Sequence, residues 1–131
     1  MSKSNYRDLV VWQKARKLAV EIYRNTQGFP RAEMFGMAQQ LRRAAVSVPS
    51  NIAEGHGRRT SKDILSFLRI ARGSLFEIET QILIATDLEY IERTRSEALA
   101  GQTVDVIRLL NGLIRHHQKL LSTANCQQST T

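Results

Sequence analysis

The chain of 131 residues predicts an all-α protein, an antiparallel up-down-up-down four-helix bundle. Three observations carry that expectation. Apolar residues recur at steps of three and four along four separate stretches, the mark of one helix face. Only 2 prolines and 7 glycines interrupt the chain, so long helices are easier to draw than many short strands. The stretches are joined by connections of roughly 3 to 6 residues, which favour antiparallel neighbours. There is no internal repeat, and no strand pattern of useful length.

The first helix is expected from about Asp8 to Thr26, with Asp8 as N-cap or first-turn acid. Trp12, Ala15, Ala19, Ile22 and Tyr23 share its apolar face. Gly28 stands where a helix stops, and Pro30 where the next one opens. The second helix is expected from about Arg31 to Glu54, with a core stripe of Met34, Met37 or Ala38, Leu41, Ala45, Val48 and Ile52. Pro49 lacks the N–H that would bond the Ala45 carbonyl, so a kink is expected near it. Gly55-His56-Gly57 closes this helix.

The third helix begins at Thr60 or Ser61, where Thr60 and Asp63 have the spacing of a capping box. Ile64, Leu68, Ala71, Leu75, Ile78, Ile82 and Ala85 alternate steps of four and three throughout, and Phe67 and Phe76 widen the stripe. Residues 89–93 form the last connection. Thr94 and Glu97 predict the cap of the fourth helix, which ends near Ser122 with Val106, Leu110, Leu113, His117, Leu120 and Leu121 on one face. One domain over residues 1–123 and a disordered polar tail over 124–131 follow.

The second helix has an unusual outer face. Gly36, Gln40, Arg43, Ser47, Ser50 and Glu54 are polar but mostly small, where a solvated face usually carries long charged chains. Small residues there predict a close approach by another backbone.

Charge is uneven. The formal net charge is +7 and the pI about 10.2. Residues 1–60 hold 11 Lys/Arg against 4 Asp/Glu, while residues 61–131 hold 8 of each, so the first half carries the whole excess. Such one-sided charge points to a polyanion, nucleic acid above all. Arg42, Arg43, Arg58 and Arg59 form one candidate group, and Lys14, Arg16 and Lys17 another. Arginine suits phosphate and base stacking, and backbone-directed, weakly sequence-specific binding of RNA or DNA is expected.

Enzyme chemistry has little support. His116 and His117 are adjacent and cannot share a metal as an i, i+4 pair would, and no Cys/His group has zinc spacing. Glu54, Glu77 and Glu79 lie on predicted helices without the Glu-x-x-His motifs of a dimetal bundle. Arg43 and Glu54 are expected in intersubunit or interhelical ion pairs instead. Cys126, the single cysteine, lies in the polar tail and has no recognisable catalytic partner. No phosphate-binding glycine loop is present. No stretch approaches a membrane span, no signal peptide is evident, and one cysteine forms no internal disulfide. A cytoplasmic, bacterial-type, non-enzymatic protein without cofactor or metal is expected.

Three motifs resemble one bacterial family: Asp8-Leu9-Val10-Val11-Trp12-Gln13-Lys14-Ala15 with Phe29-Pro30, the run Gln40 to Gly55, and the run Phe67 to Thr80. The family is that of proteins encoded in intervening sequences of 23S rRNA genes, and the resemblance covers roughly residues 6 to 120. It implies a four-helix bundle and a homopentamer, a ring around a central channel. A related group assists reverse transcriptases of diversity-generating retroelements, where a basic pentamer contacts nucleic acid. The family name records gene location and is not evidence of a ribosomal role. Arg43, Ser47, Pro49, Ser50, Asn51, Glu54, Gly55, Gly73, Ser74 and Glu79 match the family pattern. Ser47, Ser50, Asn51, Glu54, Gly73 and Ser74 are the expected oligomer interface, with Gly73-Ser74 as a notch for the second helix or a neighbouring subunit. Two functions follow: an oligomeric nucleic-acid-binding accessory protein, or a structural scaffold ring whose positive charge is incidental.

Overall fold

The structure, a computed structural model, describes residues 5–129, with side chains described through residue 124. Four α-helices make up the chain: α1 (Val10–Thr26), α2 (Met37–His56), α3 (Ser61–Asp87) and α4 (Arg93–Ser129). Single 3-10 turns at Tyr6–Asp8 and Arg31–Glu33 precede α1 and α2. No strand occurs among the described residues.

Each helix packs on its sequence neighbour, and α4 returns to α1. On α2 and α3 the bonded pairs are Gln40–Gln81 and Ser47–Ser74, with Gly55 against Phe67. Arg72 meets Asn111, and Thr86 meets Ser96, across α3 and α4. In both sets the numbers fall on one helix as they rise on the other, as in antiparallel neighbours.

The core is a continuous aliphatic column. Leu18 and Ile22 of α1, Leu41, Val48 and Ile52 of α2, Leu65, Leu68, Leu75, Ile78 and Ile82 of α3, and Leu110 and Ile114 of α4 are fully buried. The α3 pattern matches the sequence reading apart from Ile64, which packs at the rim, and Phe76, which is half exposed. On α1 the stripe is shifted. Val11 and Leu18 enter the core, while Trp12 is only partly buried and Tyr23 is exposed. On α4 the buried line is Leu99, Val106, Leu110 and Ile114, and Leu120 is exposed.

Two small residues of α2, Ser47 and Gly55, meet α3. The Ser74 hydroxyl donates to Ser47 Oγ at 2.9 Å, and the Asn51 amide donates to the Ser47 hydroxyl and carbonyl at 3.0 and 2.8 Å. A Cβ on Gly55 would lie 3.1 Å from Phe67 Cβ and 3.4 Å from the Ile64 carbonyl, so glycine lets α2 and α3 touch at their hairpin. Gly73 has open space around its Cβ position, so within the chain it is Ser74 that meets α2. Pro49 lies inside α2, which remains helical on both sides of it.

Helix ends follow local chemistry. Thr60 caps α3 by accepting from the Asp63 N–H at 3.2 Å. The turn opened by Pro30 is a single 3-10 turn, and α2 starts only at Met37. Helix α4 starts at Arg93, so Thr94 lies in its first turn and is not the cap. It continues to Ser129, beyond the expected end near Ser122. The polar tail expected at 124–131 and Cys126 fall largely outside the described side chains.

Helix α3 ends in a Schellman motif, in which Tyr90 N–H bonds the Ala85 carbonyl (2.8 Å) and Glu89 N–H the Thr86 carbonyl (2.9 Å). The left-handed position, φ 64°, is occupied by Glu89 where glycine is usual. The same connection seals one end of the bundle: Tyr90 stacks on Phe29 at 5.5 Å and donates to Glu33 Oε2 at 3.0 Å. That hydrogen bond to a carboxylate holds the Tyr90 phenol above its usual range.

The opposite end is looser. Leu9, Ile52, His56, Ile64, Leu68, Leu113, His116 and His117 line a cavity of about 300 Å³. His117 Nδ1 is buried there without a hydrogen-bond partner. Burial, and then the neighbouring His116 and His56, push the His117 imidazole below the usual 6.5.

Two outcomes follow. Glu89→Gly relieves a left-handed backbone and should raise stability by about 1 kcal/mol in denaturant unfolding; an unchanged midpoint contradicts that. His117 resists a proton that the unfolded chain accepts, so its contribution is complete above pH 6.5 and is lost as pH falls towards the lowered native value. His117→Phe should therefore shrink the loss of unfolding midpoint between about pH 7.5 and 5.5; an identical loss in the variant contradicts this role.

Candidate nucleic-acid interface

The sequence-predicted cations do not form one patch. Arg42 is drawn into the α1–α2 seam: Nε donates to Thr26 Oγ1 at 2.8 Å, Nη2 to the Tyr23 carbonyl at 3.4 Å, and the guanidinium lies 4.9 Å from the Tyr23 ring. It thereby supplies positive charge to the C-terminal carbonyls of α1. Arg43 is exposed on the outer face of α2, and the Gln39 amide, in the orientation that satisfies both of its ends, bridges it to the Phe35 carbonyl. Arg58 pairs with Glu54 at 2.7 Å and covers Phe67 at 4.6 Å. Within the chain, then, Glu54 pairs with Arg58, one turn away. Arg59 is exposed beside it at the α2–α3 turn.

Lys14 and Lys17 belong to a different surface. Lys14 crosses to α4 and bonds Asp105 Oδ2 at 2.9 Å, and Arg108 bonds the other oxygen of the same carboxylate at 2.7 Å. The Lys14 hydrogen bond and charge hold the Asp105 carboxyl below its usual range, so the pair stays ionised at neutral pH. Lys17, one turn on, lines the adjoining groove.

That groove is the feature sequence reasoning missed. A depression of about 630 Å³ runs along α1, lined by Arg7, Trp12, Gln13, Arg16, Lys17, Val20, Glu21 and Arg24, with Gln102 from α4. A second depression continues it past Glu21, Arg24 and Asn25 to Arg95 and Leu99 of α4. Gln102 is common to both, and to the depression around Lys14, Lys17 and Asp105. Five cations, Arg7, Arg16, Lys17, Arg24 and Arg95, thus share one continuous channel between α1 and α4. Glu21 is the one carboxylate on its wall, paired with Arg24 at 3.0 Å. Lys17 and Arg95 have no ion-pair partner among the described residues. The signal in the sequence was the Lys14-Arg16-Lys17 group; Arg24 and Arg95 needed the α1–α4 pairing to be seen together.

Aromatic side chains stand at one end of the channel. Trp12 meets Tyr6 edge to face at 5.2 Å, and Arg16 lies 5.6 Å from the Trp12 ring centre. Arg7 lies 5.8 Å from the Tyr6 ring.

The expected oligomer-interface residues divide. Ser47, Asn51 and Ser74 are engaged in the α2–α3 seam, while Ser50, Glu54 and Gly73 are exposed. Beside Gly73, the outer surface of α3 carries Ile70, Phe76, Leu83 and Ile84, each between 43% and 64% exposed. No group of three His, Cys, Asp or Glu side chains among the described residues is placed to hold a metal ion. No helix among them is long and apolar enough to cross a membrane.

Comparison with known proteins agrees with this architecture. A family model described as 23S rRNA-intervening sequence protein matches residues 7–112. A crystal structure of a protein of unknown function from the S23 ribosomal protein family of Bacteroides thetaiotaomicron VPI-5482 superposes with a TM-score of 0.75 and 26% identity, covering 81% of this chain and 96% of that one. Curated proteins give no match. With the family model spanning the described helices from α1 into α4, the chain belongs to the 23S rRNA-intervening sequence protein family.

Proposed function

We propose that this protein binds nucleic acid through the α1–α4 channel and performs no chemistry on it. The observation that carries the reading is the convergence of Arg7, Arg16, Lys17, Arg24 and Arg95 on one channel with a single carboxylate in its wall. A concave surface lined by several cations suits the phosphates of a strand, whose neutralisation releases condensed counterions. Arg43 and Arg59, exposed elsewhere on the surface, add to the long-range attraction. Arg42 is bonded to α1 and serves the fold.

A second reading, compatible with the first, is self-association. Ile70, Phe76, Leu83 and Ile84 leave exposed apolar side chains on the outer surface of α3, interspersed with Arg69, Glu77 and Thr80, and large exposed apolar groups in number suit a contact site with a polar component. A homo-oligomer built on that surface, a pentamer by analogy with the family, would line up several channels and strengthen binding to a long strand.

Lys17→Ala combined with Arg95→Ala should weaken binding of a labelled oligonucleotide and lower the slope of log K against log salt by roughly 1 to 2, measured by fluorescence anisotropy. An unchanged slope places the phosphates elsewhere. For self-association, Phe76→Arg with Leu83→Arg should reduce the solution mass in light scattering while circular dichroism stays helical. A mass equal to the parent's removes the outer surface of α3 as the contact.

A further inference from the structure

The channel is not uniformly polar. Its α1 end holds Trp12, the chain's one tryptophan, half-buried against the core with Tyr6 at its edge. Phosphate binding alone does not call for an aromatic ring in a basic groove. The Arg16 guanidinium lies over the Trp12 ring, 5.6 Å from its centre, and the pair forms a stacking platform in the depression that Arg7 and Lys17 also line. Aromatic and guanidinium planes stack on the faces of bases, and Arg7 and Lys17 supply cations for the neighbouring phosphates. The depression, about 630 Å³, runs on from the platform along α1 to Arg24, so a strand that stacks one base here has a basic surface to follow.

We propose that this end of the channel takes an unpaired base of single-stranded nucleic acid, stacked on the Trp12–Arg16 platform, with Arg7 and Lys17 on the neighbouring phosphates. The inference rests on the nucleic-acid reading above and narrows its ligand to strands with accessible bases. A duplex keeps its base faces inside the stack and offers this platform nothing but phosphate. Stacking engages the face of a base and not its edge, so the site is tolerant of sequence.

Because Trp12 is the sole tryptophan, its emission reports the site directly. The full chain is titrated with three probes at near-physiological salt: a single-stranded oligothymidylate of about twelve residues, an abasic deoxyribose-phosphate strand of the same length, and a duplex. Binding is followed both by anisotropy and by tryptophan emission. The base-bearing strand should quench Trp12 with the same midpoint as the anisotropy change, and the abasic strand should bind about tenfold or more weakly without quenching. Trp12→Phe should retain most of the affinity, and Trp12→Leu, which keeps apolar packing, should lose about tenfold or more for the base-bearing strand alone. Equal binding of base-bearing and abasic strands, or binding with unchanged emission, overturns the stacking site and leaves phosphate binding in the channel standing. Absence of binding to all three probes overturns both. The comparison of probes on the parent protein decides the matter even if Trp12→Leu fails to fold.

Discussion

The close seam between α2 and α3 sets the shape of the whole bundle. Ser47 on one helix bonds Ser74 on the other, and Gly55 lies against Phe67 and the Ile64 carbonyl, so small residues let the two backbones approach. The hydroxyls of Ser47 and Ser74 satisfy each other there, so the seam leaves no buried polar group of this pair unpaired. Helices α1 and α4 pack less extensively on one another, and long side chains, Lys14, Lys17 and Glu21 facing Gln102 and Asp105, occupy their boundary. The tight seam on one side and the open boundary on the other are why the channel lies between α1 and α4.

This asymmetry sorts the cations by role. Arginines near the tight seams are drawn into the fold: Arg42 holds the end of α1, Arg58 covers Phe67, and Arg72 bonds Asn111 between α3 and α4. Each desolvates part of its stem and fixes its guanidinium, which leaves little of it for a ligand. Along the open boundary the basic side chains line a concave surface instead. Exposed ion pairs such as Lys14–Asp105, with side chains 45% and 39% exposed, add at most about 1 kcal/mol to stability. Their larger effect is to reduce the charge at the channel's rim, while Arg7, Arg16, Lys17 and Arg95 stand along the channel without an ion-pair partner among the described residues.

Much of the fold was legible because heptad-like spacing is a local property. The α3 stripe from Leu68 to Ala85 could be counted directly, and the Thr60 cap forms as its spacing predicts. Errors arose where two local signals competed. Trp12 and Tyr23 pulled the α1 stripe sideways because large aromatics read as core, yet both are amphipathic and sit at the rim, leaving Leu18 to fill the centre. At α4, Thr94 offered a better cap by residue type, but the Schellman turn at Glu89 fixes the exit from α3 and the helix begins at Arg93. The channel was the least legible feature. Arg24 and Arg95 lie far apart in sequence, and only the return of α4 onto α1 brings them together. His56 and His117, also far apart in sequence, come to line one cavity only where the ends of α2 and α4 lie at the same end of the bundle.

Photo-crosslinking of a bound oligonucleotide, followed by mass spectrometry of the protein's peptides, tests the central claim most directly because it reads location and not affinity. The account predicts adducts on α1 between Trp12 and Arg24 and on α4 around Arg95 to Gln102. Adducts concentrated at Arg43, at Arg58 and Arg59, or on the outer face of α3 would contradict it.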